Sequence, residues 1–230
     1  MRKPIRLMTV NLLNGRADPE HLARLLERLQ PDVIVGQELG PDAAEVIADH
    51  FPHHDLHPAL DHRGMGIAGV LATTFGPLPL PLRSGRWARV GVGDEVLVVA
   101  TVHLINPIDF PWWRSVRGRT DQLDSLDAWV DDNVGEASFV LAGDLNASPR
   151  WPAYRRLAER WEDLAVQAAQ SAGTRPELTW GWRPGWPRML RIDHAFGSGV
   201  RGVGTTVEPV RGSDHAALVV DLVISRNDSG

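Results

Sequence analysis

The chain reads as an α/β protein with a two-layer β-sheet core and helices packed outside it. Three observations predict this. Strand-like apolar runs recur along almost all of the 230 residues, helical patterns are fewer and lie between them, and no repeat, low-complexity tract or linker divides the sequence. One domain over residues 1–230 is expected, since that length suffices for a continuous core.

The elements follow in order. Ile5–Asn11 and Val33–Gln37 are apolar runs of strand length. Between them, "DPEHLARLLERLQ" predicts a helix: Asp18 can cap it, Pro19 suits its first turn, and Leu22, Leu25, Leu26 and Leu29 fall on one face. A shorter helix is expected over Ala43–His50. After Pro52, "HHDLH" predicts an extended, half-exposed strand in which His53, His54 and His57 are tolerated rather than gathered on a metal. Strands follow at Gly66–Ala72, Arg86–Val92 and Glu95–Val102. A helix over Thr120–Val130 would turn Leu123, Leu126 and Val130 inward. Phe139–Gly143 is the next strand and Pro152–Arg160 the next helix. Asp193–Phe196, Val203–Glu208 and Ala216–Ile224 complete the strands. Two tryptophan-rich stretches, "INPIDFPWWRSVRGR" and "TWGWRPGWPRM", are expected as loops.

Composition narrows the function. An apolar fraction of 43% and a charged fraction of 23% are ordinary for a globular protein. No apolar run is long enough to cross a membrane, and Arg6, Thr9 and Asn11 interrupt the first stretch too early for a signal peptide. A cytoplasmic monomer without stable membrane association is expected. Cysteine is absent, which excludes disulfides and thiolate metal sites, so any metal must be held by oxygen or imidazole. The net charge of -5 gives no overall attraction to nucleic acid, leaving that role to a local patch.

The informative pattern lies at the ends of the apolar runs. "RLMTVN" ends in Asn11, "VIVGQE" in Glu38, "VLVVATVH" in His103, and "FVLAGDLN" in Asp144 and Asn146. "RIDHAF" and "SDHAALVV" do the reverse, with Asp193 and the Asp214–His215 pair at their starts. If these last two strands run antiparallel to the first four, all these ends meet along one edge of the core. Four carboxylates gathered there would repel one another unless a cation or protons compensate. Oxygen-rich ligands without sulfur point to Mg²⁺ or Mn²⁺.

Six stretches, "TVNLLNG", "VGQE", "TVHL", "GDLN", "RIDHAF" and "GSDHAAL", resemble in this order the successive motifs of the endonuclease/exonuclease/phosphatase superfamily, the deoxyribonuclease-like metal-dependent phosphoesterases. They extend from residue 9 to residue 217. The resemblance implies a four-layer α/β/β/α sandwich, two mostly antiparallel sheets face to face with helices outside. It also implies roles. Glu38 is the metal-ligand carboxylate, with Asn11 as supporting ligand or orienting group. Asp144 would orient or deprotonate the attacking water, and Asn146 would donate to a phosphate oxygen. Asp193 would pair with His215, which acts as general base or as a charged clamp on phosphate. Asp214 would contribute to metal or water binding, and His103 would stabilise the phosphate or protonate the leaving oxygen. Arg119 matches a family position whose role is structural or phosphate-facing.

The substrate this implies is a phosphate ester, in nucleic acid or in a small molecule. A phosphodiesterase or nuclease is the first expectation, a phosphomonoesterase on a soluble metabolite the second, and a non-catalytic binding module the alternative of another class. The family members that cut DNA at abasic sites usually carry Tyr where His103 stands, which disfavours that activity. Trp112, Trp113 and Trp182, with Trp186, either stiffen long loops or offer a stacking surface, with Arg114 and Arg117 reaching phosphate.

Overall fold

The structure, a computed structural model, describes residues 3–108 and 111–225, apart from the side chain of Trp112. The first half contains β1 (Ile5–Asn11), α1 (Pro19–Leu29), β2 (Val33–Gln37), α2 (Pro41–His50), β3 (His53–His57), β4 (Met65–Gly69), β5 (Ala72–Leu80), β6 (Arg83–Val92) and β7 (Glu95–Val102). The second contains α3 (Trp112–Asn133), β8 (Ser138–Asp144), α4 (Pro152–Arg160), β9 (Glu162–Asp163), α5 (Leu164–Ser171), β10 (Trp180–Gly181), β11 (Arg188–Leu190), β12 (Asp193–Ser198), β13 (Val200–Pro209) and β14 (Ala216–Ile224).

Two six-stranded sheets carry the fold, in the orders β13-β14-β1-β2-β4-β3 and β5-β6-β7-β8-β12-β9. Their side chains alternate between faces with the period of two that extended backbone imposes. Along β1, Ile5 and Leu7 enter the cluster between the sheets, whereas Met8 and Val10 join Leu22, Leu25 and Ile47 beneath α1 and α2. Along β8, Val140 and Ala142 face the other sheet, while Phe139 and Leu141 pack with Leu123, Leu126 and Leu157 of α3 and α4. The layers are therefore helix, sheet, sheet, helix, the sandwich that the resemblance implies. Each large apolar side chain taken fully out of water contributes about 1.5–3 kcal/mol. A one-residue slip would reverse every face, so burial on both sides pins the register.

α1 forms as its sequence dictates. Asp18 accepts a hydrogen bond from the His21 amide at 3.1 Å, Pro19 opens the helix, and Leu22, Leu25, Leu26 and Leu29 are buried. "HHDLH" is the half-exposed edge strand β3.

Three expectations are corrected. The run Gly66–Ala72 is not one strand: β4 ends at Gly69 in the first sheet, and Ala72 opens β5 in the second. β5 went unforeseen because Pro77 and Pro79 argue against a strand. It lies at a sheet edge, where a missing amide is tolerated, and it buries the intervening Leu78. Finally, the "WWRSVRGR" stretch is not a loop: α3 begins at Trp112, eight residues before Thr120. Gly118 permits this, since a Cβ there would stand 2.9 Å from Ile105 Cδ1.

The pairings decide where the site lies. β1 runs parallel to β2, and β7 parallel to β8. β14 runs antiparallel to β1, and β12 antiparallel to β8 with Asp193 opposite Asp144. The C-terminal ends of four strands thus meet the N-terminal ends of two at one edge. No described helix is long and apolar enough to cross a membrane.

Candidate active site

Glu38 follows β2 with φ +52°, a left-handed conformation that a non-glycine residue adopts at a cost. Its surroundings hold it there: Glu38 O accepts from the Gly15 amide at 2.9 Å, and Glu38 Oε2 accepts from the Asn14 amide at 2.8 Å. Asn11, at the end of β1, spans the two sheets. Its Nδ2 donates to Glu38 Oε1 at 3.1 Å and to Asp144 Oδ2 at 3.0 Å. Asn11 Oδ1 meanwhile accepts from the Leu13 amide at 2.9 Å. The nitrogen thus orients two carboxylates, while the oxygen carries one hydrogen bond and keeps a second lone pair.

Asp144, buried at the end of β8, also accepts from the Asn146 amide at 2.8 Å. Burial raises its pKa above the ordinary carboxylate value, against the opposing attraction of His215. Asn146 has φ +45° and spends one amide hydrogen on the Leu104 carbonyl at 3.0 Å. Only its second hydrogen, 3.4 Å from Asp144 Oδ2 by the nitrogen, is left for phosphate.

Across from them stands a buried relay. Asp193 accepts from His215 Nδ1 at 2.9 and 3.1 Å through its two oxygens, and His215 Nε2 lies 3.7 Å from Asp144 Oδ2. Burial alone would discharge the imidazole, but the carboxylates of Asp193 and Asp144 outweigh it and push its pKa up to about 10. His103 shows the opposite balance: burial prevails over Asp144 and lowers its pKa to about 4. One imidazole is cationic at neutral pH and the other neutral. His103 Nε2 lies 3.5 Å from Asp144 Oδ2 and 3.8 Å from Glu38 Oε1.

Sequence reasoning missed the residues that brace this relay. Thr179 is fully buried, its Oγ1 accepting from the Ile192 and Asp193 amides at 3.2 Å. Its carbonyl accepts from the Ala216 amide at 2.7 Å, tying β12 to β14. Ser213 Oγ donates to Asn11 O at 2.8 Å and accepts from the His215 amide at 3.0 Å. Trp180 Nε1 donates to Asp214 Oδ2 at 3.0 Å, leaving Asp214 Oδ1 buried without a partner. The available signal was the "TW" that opens the second tryptophan-rich stretch, which pointed to Trp182 and Trp186 instead.

Donor atoms of Asp144, Asp193 and His215 lie within 4.8 Å of one another. Both Asp193 oxygens share the one His215 Nδ1–H, so a cation there would compete with that hydrogen bond. The better donors are Glu38, on the cavity wall, and the orphaned Asp214 Oδ1. An uncompensated carboxylate oxygen out of water is costly, and a hard divalent cation is the partner such an oxygen-only set fits.

These groups open onto a cavity of about 400 Å³ lined by Glu38, His103, Asp144, Asn146, Asp214 and His215 on its polar side. Asp193 stands behind His215. Of the residues expected to meet substrate, Trp182 lines the cavity, while Trp113 and Arg114 are exposed on α3 outside its lining. The side chain of Trp112 lies outside the described residues. Arg119 is buried, donating to the carbonyls of Ile105 and of Leu145, the latter at 3.2 Å. It binds together the loops that follow β7 and β8.

A four-layer sandwich with carboxylates, imidazoles and amides converging where opposed strand ends meet defines a class of α/β proteins with a polar, hydrolase-like cavity at one sheet edge. The chain belongs to the Endonuclease/Exonuclease/phosphatase family, whose model matches residues 8–215. That family name joins three kinds of phosphate-ester hydrolase. Among solved structures, a functionally unknown conserved protein from Enterococcus faecalis V583 is similar with a TM-score of 0.76 and 14% identity, over 96% of this chain and 100% of that one. The human Nocturnin catalytic domain with bound sulfate gives 0.71 and 17%, over 98% and 96%. TDP2 of D. rerio complexed with single strand DNA product gives 0.74 and 15%, over 96% and 99%. At these identities the likeness speaks for the fold. A search of curated proteins returns no match.

Proposed function

We propose that this protein is a Mg²⁺- or Mn²⁺-dependent phosphoesterase in which water attacks phosphorus, with a phosphodiester as the first choice of substrate. The observation that carries the reading is the convergence of Glu38, His103, Asp144, Asp214 and His215 on one cavity, with His215 held by Asp193 behind it.

Glu38 and Asp214 would hold the cation, which when bound neutralises charge on the phosphoryl oxygens. The remaining work falls to the chain's own groups. Asp144, oriented by the Asn11 side chain and the Asn146 amide, accepts a proton from the incoming water. Its raised pKa supports that role, bringing its basicity closer to neutrality. Asp193 accepts from His215 Nδ1–H and holds the imidazolium in orientation, so its charged Nε2–H faces the cavity as clamp and proton donor. His103, neutral, donates a hydrogen bond to a phosphoryl oxygen; a pKa near 4 leaves it too rarely charged to protonate a leaving group. Asn146 contributes its remaining amide hydrogen.

Hydrolysis of bis-(p-nitrophenyl) phosphate and p-nitrophenyl phosphate, with Mg²⁺, Mn²⁺ or EDTA, tests this. Metal-dependent turnover lost in Glu38→Ala and His215→Ala supports the site, and the preferred ester separates diesterase from monoesterase. Turnover unaffected by His215→Ala, or a protein that binds no divalent metal, would turn the reading toward a binding module.

A further inference from the structure

Beside its polar groups the cavity has an apolar and aromatic lining. It is built from Leu13, Ile108, Trp151, Trp180, Trp182 and Leu190. Two of these are held in water at the mouth: Ile108 is 73% exposed and Trp182 is 58% exposed. Burying neither is a loss to folding that a bound group would recover. Trp180 and Trp182 meet nearly edge-on, centroids 6.1 Å apart at 70°. A perpendicular pair uses the edge of one ring, so both faces of that ring stay free of the other.

Charge is sparse by comparison. Among the described residues, Arg83 is the one Lys or Arg side chain lining the cavity. A neighbouring groove shares Asp214 and His215 and carries Arg183, Arg188 and Arg211. They stand outside the cavity lining, Arg183 over the Trp186 ring, Arg188 3.9 Å from Glu177, and Arg211 3.5 Å from Asp18. In the cavity itself the aromatic surface of Trp151, Trp180 and Trp182 faces a single guanidinium among the described residues.

Building on the phosphoesterase reading, we infer that the substrate is a compact phosphate ester bearing an aromatic ring, and that Trp182 is the specificity-determining contact for that ring. Phosphate meets the polar wall while the ring packs against Trp182 and Trp180.

The test is calorimetric binding of phenylphosphonate and methylphosphonate, in Mg²⁺ and in EDTA, to wild type, Trp182→Ala and Trp182→Phe. Stacking on one exposed ring is expected to favour the phenyl ligand about tenfold. Trp182→Ala should bring the ratio of the two affinities to about one, and Trp182→Phe should restore most of it. Equal affinities in wild type, a preference that survives Trp182→Ala, or no binding of either phosphonate overturns the inference. So does a single-stranded oligonucleotide that displaces phenylphosphonate with a steep salt dependence. Because binding is read without turnover, selective binding beside absent metal-dependent hydrolysis would sink the phosphoesterase reading and leave the aromatic subsite standing.

Discussion

Two buried clusters of charge sit within a few residues of each other along β12, and they are wired differently. On the cavity side, Asp193, His215, Asp144 and His103 make long or shared contacts, and His103 Nδ1 and Asp214 Oδ1 have no hydrogen-bond partner. On the other side, Asp163 is saturated. It accepts from Arg191 at 2.6 Å, from the Tyr154 hydroxyl at 2.9 Å and from the Val166 amide at 3.1 Å, and it caps α5. His194, next to Asp193 in sequence, donates its Nε2–H to the Ala147 carbonyl at 2.7 Å, and its buried Nδ1, 3.5 Å from Asp163, makes no hydrogen bond.

The titration behaviour follows the wiring. Burial alone would raise Asp163, yet His194 and Arg191 outweigh it and hold the carboxyl well below the usual range. At Asp144 burial prevails, and the carboxyl is raised. A carboxylate thus serves stability where its hydrogen-bonding capacity is filled, as at Asp163. Where capacity is left over, it is available to a cation, a water or a substrate.

The comparison can be broken most sharply at His215. His215→Ala should lower turnover about a thousandfold, the middle of the range for removing an acid–base group. His215→Ala also strips the buried Asp193 of its partner, so turnover is read per folded molecule; a loss below tenfold would mean that the relay is not part of the reaction. Asp163→Asn should act on stability instead. Removing one partner of a buried pair costs about 3–5 kcal/mol, read from urea denaturation, while turnover per folded molecule stays within a few-fold. If Asp163→Asn instead abolished turnover in fully folded protein, the two clusters would have to be treated as one.

A smaller effect sharpens the metal assignment. A cation at a hundred times its Kd stabilises by about 2.7 kcal/mol, so wild type should melt several degrees higher in Mg²⁺ than in EDTA. Asp214→Asn should lose most of that rise, and an unchanged rise would place the cation elsewhere.

The smallest effect is on acid stability. A carboxyl whose folded pKa is depressed contributes stability above its unfolded value, near 3.9, and loses it as pH falls toward the folded value. Through Asp163, wild type should therefore lose up to about 1.4 kcal/mol per pH unit below pH ~4. Asp163→Asn should have a flatter acid limb; parallel limbs would show that Asp163 is not the group being titrated.

Much of this was legible in the chain. The alternation along β1 and β8 and the Asp18–Pro19 start of α1 are local patterns between near neighbours. The site residues announced themselves by standing at the ends of apolar runs, where burial without partners is costly. β5 was obscured by Pro77 and Pro79, whose tolerance depends on its being at a sheet edge. α3 was foreseen too short because the fit of Gly118 against Ile105 involves a segment that no local pattern connects to it.

The sequence by itself determined which side chains were available and in what order the apolar runs would deliver them. The tertiary structure decided what each one faces. It turned the Asn11 nitrogen toward Glu38 and Asp144, aimed Arg119 at two loop carbonyls, and set Trp180 and Trp182 on the cavity wall, with Trp113 outside its lining. The physical reason is distance along the chain. A helix stripe or a strand face is encoded by residues a few positions apart, but Asn11 meets Asp144 across 133 residues. Only the face-to-face packing of the two sheets, β1 in one and β8 in the other, brings such residues within reach.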